Sequence, residues 1–329
     1  MTRRLLWIAG SLLVLSVLNV VLPQLLNPYM FQILILCGIN VVLAVSLNLI
    51  NGFTGQFSIG HAGFMAIGAY GSAMFSLHVG QRWVSAATAA GVPDLVAQGA
   101  ALLIALILGG LLAAIAGYLV GLPSLRLRGD YLAIVTLGFG EIIRVVILNV
   151  NAVGAARGLP GIPHWANFFW VGLSVLAVIL LSVHLAHSSY GRALFAIRDD
   201  EVAAEALGVD TTRYKVLAFV IGAFFAGVAG GLFAHYLSYL NPNSFTFLKS
   251  IEVIAMVVLG GMGSVSGAVL AAILLTVLPE VLRPVKDYRM VIYSLMLIIL
   301  MITRPQGLMG SRELAWPAWL GRRAKPARA

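Results

Sequence analysis

Residues 251–282 read IEVIAMVVLGGMGSVSGAVLAAILLTVLPEVL, an apolar run with a cluster of glycines near its middle. A single helix over this run would be about 48 Å long, whereas the hydrocarbon core of a membrane is about 30 Å thick. Glycine is a poor residue for a helix interior, and the stretch 260–267 is rich in it. The sequence therefore predicts two short helices, 251–266 and 267–282, that meet at a glycine-rich break.

The rest of the chain is similarly apolar. Of its 329 residues, 60% are hydrophobic and only 10% are charged, whereas soluble domains are about 25% charged. Apolar runs long enough to cross a membrane recur along the whole length. The composition predicts an all-α polytopic membrane protein of about ten transmembrane helices. The predicted crossings are 5–22, 31–50, 59–77, 99–122, 131–149, 168–186, 214–239, 251–266, 267–282 and 289–303.

The distribution of basic residues indicates how the chain is oriented in the membrane. They give a net charge of +9, but they lie at segment ends and in the C-terminal tail, so we expect the lipid bilayer and no nucleic acid as the partner. With a cytoplasmic N-terminus and ten crossings, most Lys and Arg residues fall on the inner side; nine crossings would put the basic tail outside. We therefore expect both termini in the cytoplasm, a transmembrane domain over 1–310 and a basic cytoplasmic tail over 311–329.

Motifs for catalysis are missing from the sequence. It has no Gly-Lys dipeptide and hence no P-loop, and neither H-E-x-x-H nor G-x-S-x-G occurs. The histidines are dispersed, and the single cysteine, Cys37, lies inside an apolar run. We predict a protein that is not an enzyme and holds no cofactor or metal. If ATP drives it, another chain must hydrolyse the ATP.

Small residues recur at four-residue spacing in two of the predicted crossings. Such stripes allow helix backbones to approach closely in lipid. They predict packing inside this chain, with packing against a second membrane subunit as the alternative. The stripes are Gly109, Ala113, Gly117 and Gly121 in one crossing, and Ala223, Gly227 and Gly231 in the other.

Polar residues within the apolar segments are candidates for a translocation pathway. Glu141 and Arg144 lie one turn apart and can pair, either as a structural ion pair or as part of the pathway. Residues 52–61 suit either an unwound, cavity-lining stretch before a helix that starts near Ser58, or a plain tight turn. Their sequence is similar to that of residues 261–268, and the similarity comes either from an internal repeat or from chance. The candidate pathway residues are Asn48, Gln56, Ser58, His61, Glu141, Arg144, Gly261, Gly263 and Ser264.

The loop 187–213 is predicted to be an inner loop that carries a short surface helix. Asp199 and Asp200 suit its start, Gly208 suits its end, and Asp210 or Thr211 can cap the next crossing. A capped helix between two crossings suits docking to an ATPase; a helix lying on the membrane surface is the alternative. The candidate coupling residues are Asp199, Asp200, Glu201, Ala203, Ala204, Glu205 and Gly208.

Several stretches, taken in order, resemble the branched-chain amino-acid ABC transporter permeases, and most of all the second of their two membrane subunits. The stretches are LNLINGFTGQFSIGHAGF at 47–64, TLGFGEIIR at 136–144, GRA at 191–193, AAEALGV at 203–209 and VLGGMGS at 258–264. The loop follows the general importer pattern Glu-Ala-Ala loosely, because Val202 replaces the first Ala after Glu201.

This resemblance, which extends over about 36–310, implies a type II ABC importer-like permease bundle in the bacterial inner membrane. It also implies a homologous second permease subunit, two ATPase subunits and a periplasmic substrate-binding protein that delivers Leu, Ile or Val. A urea or short-amide importer permease and an ion-coupled secondary carrier remain alternative functions.

Overall fold

The computed structural model describes residues 2–124, 130–283, 288–303, 306–310 and 313. Within these residues most of the chain is helical. The α-helices are α1 (Thr2–Leu25), α2 (Pro28–Asn51), α3 (His61–Phe75), α4 (Gln81–Ala89), α5 (Asp94–Ser124), α6 (Asp130–Asn149), α7 (Phe168–Ala186), α8 (Ser189–Asp199), α9 (Glu201–Ala206), α10 (Thr211–Leu237), α11 (Phe247–Gly260), α12 (Val265–Val281) and α13 (Arg289–Thr303).

A helix lies at each of the ten predicted crossings, but their lengths differ. Six helical stretches in the described part of the chain are long and apolar enough to cross a membrane. They are Pro28–Asn51, His61–Ala89, Asp94–Pro123, Tyr131–Asn149, Phe168–Ala186 and Thr211–Leu237. Gly10–Leu25 and Val265–Val281 are apolar but shorter. The helical membrane class is thus confirmed, whereas the count of ten crossings stays a prediction.

The predicted third crossing, 59–77, is wrong at both ends. Its helix begins at His61, and a π turn over Ser76–Gly80 joins α3 to α4, so the helix continues to Ala89. The helix starts late because the side chain of Asn51 bonds both the backbone N–H and the carbonyl of Ser58. It ends late because Gln81–Ala89 contains no glycine or proline to stop it.

Close contact between α3, α5 and α10 forms the core of the bundle. A Cβ atom added at Gly68 of α3 would lie 2.1 Å from the Gly227 Cα of α10, and one at Gly227 would lie 2.6 Å from the Ala113 Cβ of α5. Likewise, a Cβ at Gly117 would lie 2.5 Å from the Ala223 Cβ. The two predicted stripes therefore pack against each other inside this chain, as the sequence predicts.

The predicted break in the run 251–282 is confirmed, but its position is earlier. α11 ends at Gly260 and α12 begins at Val265, so the boundary at 266/267 was wrong. The hydroxyl of Ser264 accepts a hydrogen bond from Gly267 N (3.1 Å) and caps α12, which places Val265 inside that helix. Gly261 and Gly263 have φ of +106° and +92°, a backbone conformation that ends α11 and favours glycine.

A small irregular region closes the opposite end of the bundle. β1 (Leu159–Pro160) pairs antiparallel with β2 (Tyr239–Leu240), with Leu159 opposite Leu240. This pair of very short strands is an addition to the all-α class predicted from the sequence. Of the predicted tail 311–329, only Glu313 lies within the described residues, and its carboxylate accepts a hydrogen bond from Val265 N (2.8 Å).

Candidate functional site

The two glycine-rich breaks predicted from the sequence lie in contact with each other. The Asn48 Oδ1 near the end of α2 accepts a hydrogen bond from Gly263 N (2.8 Å), and the Asn48 Nδ2 donates to the Ser264 carbonyl (3.2 Å). A Cβ at Gly52 would lie 2.3 Å from Gly263 N, so only glycine permits this approach. We call the contact of Asn48, Gly52, Gly261, Gly263 and Ser264 the glycine junction.

Arg198 connects the glycine junction to the loop between α7 and α10. Its Nη1 donates to the Gly52 carbonyl (3.3 Å), and the same atom would lie 2.9 Å from a Cβ at Gly263. Its guanidinium lies over the Phe195 ring, 5.1 Å from the centroid, and that ring contacts the Phe53 ring at 5.0 Å. Arg198 lies in the predicted inner loop 187–213, where it counts only as one more basic residue. Its position at the end of a helix beside Asp199 gave no sign of these long-range contacts.

The stretch between α2 and α3 is neither helix nor tight turn. Its backbone is held by side chains: Asn51 bonds Ser58 at both N–H (3.2 Å) and carbonyl (3.5 Å), and the Thr136 hydroxyl accepts from Ile59 N (3.0 Å). Most of the stretch is buried against protein, with Gly55 and Phe57 exposed, and irregular backbone is tolerated where it packs on protein. The plain-turn alternative is therefore wrong.

Three of the predicted pathway residues are buried in this stretch or at the start of α3. Gln56, Ser58 and His61 are each at most 6% exposed. The His61 Nε2 contacts the Ser46 hydroxyl at 2.9 Å. Within the described residues, Gln56 Oε1, Ser58 Oγ and His61 Nδ1 have no hydrogen-bond partner. A pathway role for these residues stays a prediction, because none of them opens onto a described cavity.

The short helix predicted in the loop 187–213 is present as α9. The Asp200 Oδ1 accepts hydrogen bonds from Val202 N (2.9 Å) and Ala203 N (3.0 Å), and so caps the helix. Asp199 instead ends α8 and pairs with Arg198 (3.1 Å). Gly208, at φ +83°, ends the loop helix as predicted, and Asp210 caps α10 by accepting from Arg213 N.

Acidic side chains attach α9 to the start of α10. Glu201 pairs with Lys215 (2.7 Å), and Glu205 Oε1 accepts from the Thr211 hydroxyl (2.7 Å), while Ala204 is buried beneath the helix. The outer side of α9 is apolar and open, with Val202 64% and Leu207 84% exposed. A docking role for this face stays a prediction. An exposed apolar surface on a helix that is fixed to the start of α10 is suited to docking of a partner protein.

Glu141 and Arg144 form the predicted ion pair, with 2.7 Å between Glu141 Oε2 and Arg144 Nε. The other carboxylate oxygen of Glu141 accepts a hydrogen bond from Phe247 N (3.1 Å), at the start of α11. Glu141 borders a small cleft, with room for about one water molecule, that also touches Ile59 and Ser250. The structure therefore divides the predicted pathway residues into three groups: those of the glycine junction, the buried residues Gln56, Ser58 and His61, and the Glu141–Arg144 pair.

Long apolar helices, an interrupted helix pair and buried unwound backbone together define a polytopic membrane protein of the permease class. The sequence profile of the family described as "Branched-chain amino acid transport system / permease component" matches residues 29–302. The chain therefore belongs to that family.

Curated relatives agree with this assignment. The high-affinity branched-chain amino acid transport system permease protein LivM of Salmonella typhimurium is 37% identical, over 91% of this chain and 74% of that protein. LivM of Escherichia coli is 38% identical over the same shares of the two chains. LivH of Salmonella typhimurium, a permease protein of the same kind of system, is 33% identical over 44% of this chain and 47% of its own length.

Proposed function

We propose that this chain is a permease subunit of an ATP-binding-cassette importer that carries branched-chain amino acids across the bacterial inner membrane. The observation that carries the proposal is the family match over residues 29–302, together with two relatives named as branched-chain amino acid permeases. These relatives do not favour a urea or amide importer, or an ion-coupled carrier.

The partners follow from the same proposal. The likeness of this chain to both LivM and LivH supports pairing with a homologous second permease subunit. Two ATPase subunits and a periplasmic binding protein complete the proposed complex. The sequence has no P-loop, so ATP energy must enter through a protein contact.

In the proposed orientation, the glycine junction lies at the cytoplasmic end and the chain crosses the membrane ten times. The ends of α2 and α11 meet there, and Leu308, just after α13, donates its N–H to the Leu259 carbonyl (2.7 Å) at the same end. A shared end for these three helices agrees with an even number of crossings.

This orientation is tested with single cysteines in a Cys37→Ala background. Arg157→Cys and Asn243→Cys, at exposed positions next to β1 and beside the buried Pro242, are expected to react from outside with a membrane-impermeant thiol reagent, and Asp200→Cys only after the membrane is opened. Labelling of position 200 from outside in intact cells would reject the orientation.

Coupling is proposed to run from α9 through Arg198 to the glycine junction. Movement of an ATPase bound to the open face of α9 would displace α8, which shares its boundary with α9 at Asp199 and Asp200. Arg198 would transmit the displacement to both glycine breaks, because it contacts Gly52 and Gly263. In this proposal the glycine junction acts as the hinge, because glycine lets its backbone turn.

The transport function is tested by reconstituting the full complex in vesicles. ATP inside the compartment that holds the ATPases, with loaded binding protein on the other side, is expected to drive uptake of labelled leucine, isoleucine and valine. Uptake that follows an ion gradient and ignores ATP would instead favour the secondary-carrier alternative.

Coupling through α9 is tested with Gly208→Val. Valine resists a φ of +83° at a cost of roughly 1–3 kcal/mol, so the end of α9 is expected to distort while the membrane helices stay intact. Uptake and substrate-stimulated ATP hydrolysis should both fall about tenfold in the reconstituted complex, a factor that 1.4 kcal/mol would produce.

Gly161→Val is the matched control for this substitution. Gly161 has φ +82° and, like Gly208, open space around it, but it follows β1, far from α9 in sequence. It should leave stimulated hydrolysis near the wild-type level. Equal losses in the two variants would mean that backbone strain alone explains the effect and that coupling enters elsewhere.

A further inference from the structure

Two ion pairs flank the first turns of α11. On the α6 side, Glu141 pairs with Arg144 and accepts a hydrogen bond from Phe247 N. On the α2 side, Lys249 Nζ pairs with Glu252 Oε2 (3.0 Å) and donates to the Asn40 Oδ1 (3.0 Å). Asn40 in turn donates to the Thr276 hydroxyl of α12 (2.9 Å), so this second pair is anchored to two neighbouring helices.

Both pairs lie far from the cytoplasmic ends of the helices, at mid-membrane depth in the proposed orientation. α11 has 14 residues and is about 21 Å long, and its far end, Gly260, lies at the glycine junction. Asn40 is near the middle of α2, which makes Lys249 a mid-depth residue as well. A charged side chain facing lipid at the centre of a membrane costs about 2.5–3.5 kcal/mol on insertion scales.

These four charged side chains are nevertheless partly open. Arg144 and Glu141 are 23% and 30% exposed, and Lys249 and Glu252 are 20% and 37% exposed. Between the pairs, the open side of α11 carries the apolar residues Leu248 and Ile251. Contact with lipid is unfavourable for the charged side chains of this face. Water in a pathway at the boundary with another subunit would solvate them.

We infer that the open side of α11, with an ion pair at each edge, lines the translocation pathway and receives the charged ends of a zwitterionic amino acid. This inference rests on the proposed function and names the residues that would meet the substrate. Each pair neutralises itself when the pathway is empty, so no charge is stranded at depth. The ammonium and carboxylate of the substrate can exchange with these partners, while Leu248 and Ile251 contact its aliphatic side chain.

The first test measures whether water reaches this face. In a Cys37→Ala background, Ile251→Cys is compared with Leu111→Cys; the two native side chains are similarly exposed, at 45% and 48%, and Leu111 lies on α5. In the assembled complex, a water-soluble thiol reagent should modify position 251 at least about tenfold faster, because thiolates form readily only in water. Equal rates would overturn the inference. This measurement needs no transport, so it remains decisive if the proposed substrate is wrong.

The second test removes one pair without stranding a charge. Lys249→Met/Glu252→Met in the reconstituted complex should insert normally and keep ATP hydrolysis that responds to loaded binding protein. Leucine uptake should fall about tenfold, since a hydrogen bond to a charged group contributes that much to binding. Unchanged uptake would contradict the inference. Parallel losses of inserted protein, hydrolysis and uptake would also contradict it, because they would show a purely structural pair.

Discussion

Glycine has two different roles in the core of the bundle and in the glycine junction. In the core, Gly68 and Gly227 lie inside helices, and the missing side chains let α3, α5 and α10 touch backbone to backbone. In the junction, Gly261 and Gly263 have positive φ and end a helix. The first use makes a tight contact that a methyl group would disrupt, whereas the second makes a turn that a side chain would strain. Stability and transport should therefore respond differently to substitution in the two regions.

The largest effect is expected from Gly68→Ala. Its Cβ would lie 2.1–2.5 Å from backbone atoms of Gly227, which cannot rotate away as a side chain can. Overpacking of this kind typically costs about 1–3 kcal/mol, and contact with backbone belongs at the upper end. Heating the detergent-extracted complex and measuring the fraction that stays monodisperse should show a clear loss of thermal stability.

Gly138→Ala is the control for that experiment. Gly138 also lies within a helix, α6, but a Cβ there meets nothing within 4 Å. Alanine is favoured over glycine in helices by about 1 kcal/mol, so this variant should be as stable as the wild type or more stable. If Gly68→Ala and Gly138→Ala behave alike, the core contact is less tight than the structure indicates.

A smaller effect on stability, with a larger effect on transport, is expected from Gly261→Ala. A side chain at φ +106° costs roughly 1–3 kcal/mol, and the Cβ would lie 2.9 Å from the Gly310 carbonyl oxygen. The protein should insert, while leucine uptake per inserted complex falls about tenfold. Gly91→Ala, at φ +90° with open space around it, carries the same strain outside the junction and should transport normally. Equal uptake in the two variants would remove the distinction between the regions.

The smallest effect is expected from Arg198→Lys. Lysine keeps the charge but lacks the planar fork that reaches both Asp199 and the Gly52 carbonyl. Loss of one such hydrogen bond corresponds to about 1 kcal/mol, so uptake should fall roughly fivefold with thermal stability unchanged. Arg192→Lys, on the same helix, loses only a bond to Ser189 and should have no effect. Comparable losses in both variants would indicate a general need for arginine in α8.

Local features of this molecule were predictable from the sequence. The stripes of small residues, the break near Gly261, the Glu141–Arg144 pair and the stop at Gly208 each depend on residues a few positions apart. Side-chain spacing on one helix, or the φ preference of glycine, determines each of them.

Contacts between distant parts of the chain were not predictable in this way. Asn48 and Gly263 are far apart in sequence, and nothing local indicates that one bonds the other. The same holds for Arg198 at Gly52 and for Lys249 at Asn40. The late start of α3 was missed because it depends on a side chain of α2 that competes for the Ser58 backbone.

The glycine junction also brings together helix ends of opposite polarity. The C-terminal ends of α2 and α11 lie there and carry partial negative charge, and α12 begins there with partial positive charge. Arg198 adds a full positive charge beside the carbonyl of Gly52. While these ends stay together, their fields largely cancel. Any movement that separates them would uncover partial charges of opposite sign, and the attraction between these charges would oppose the separation.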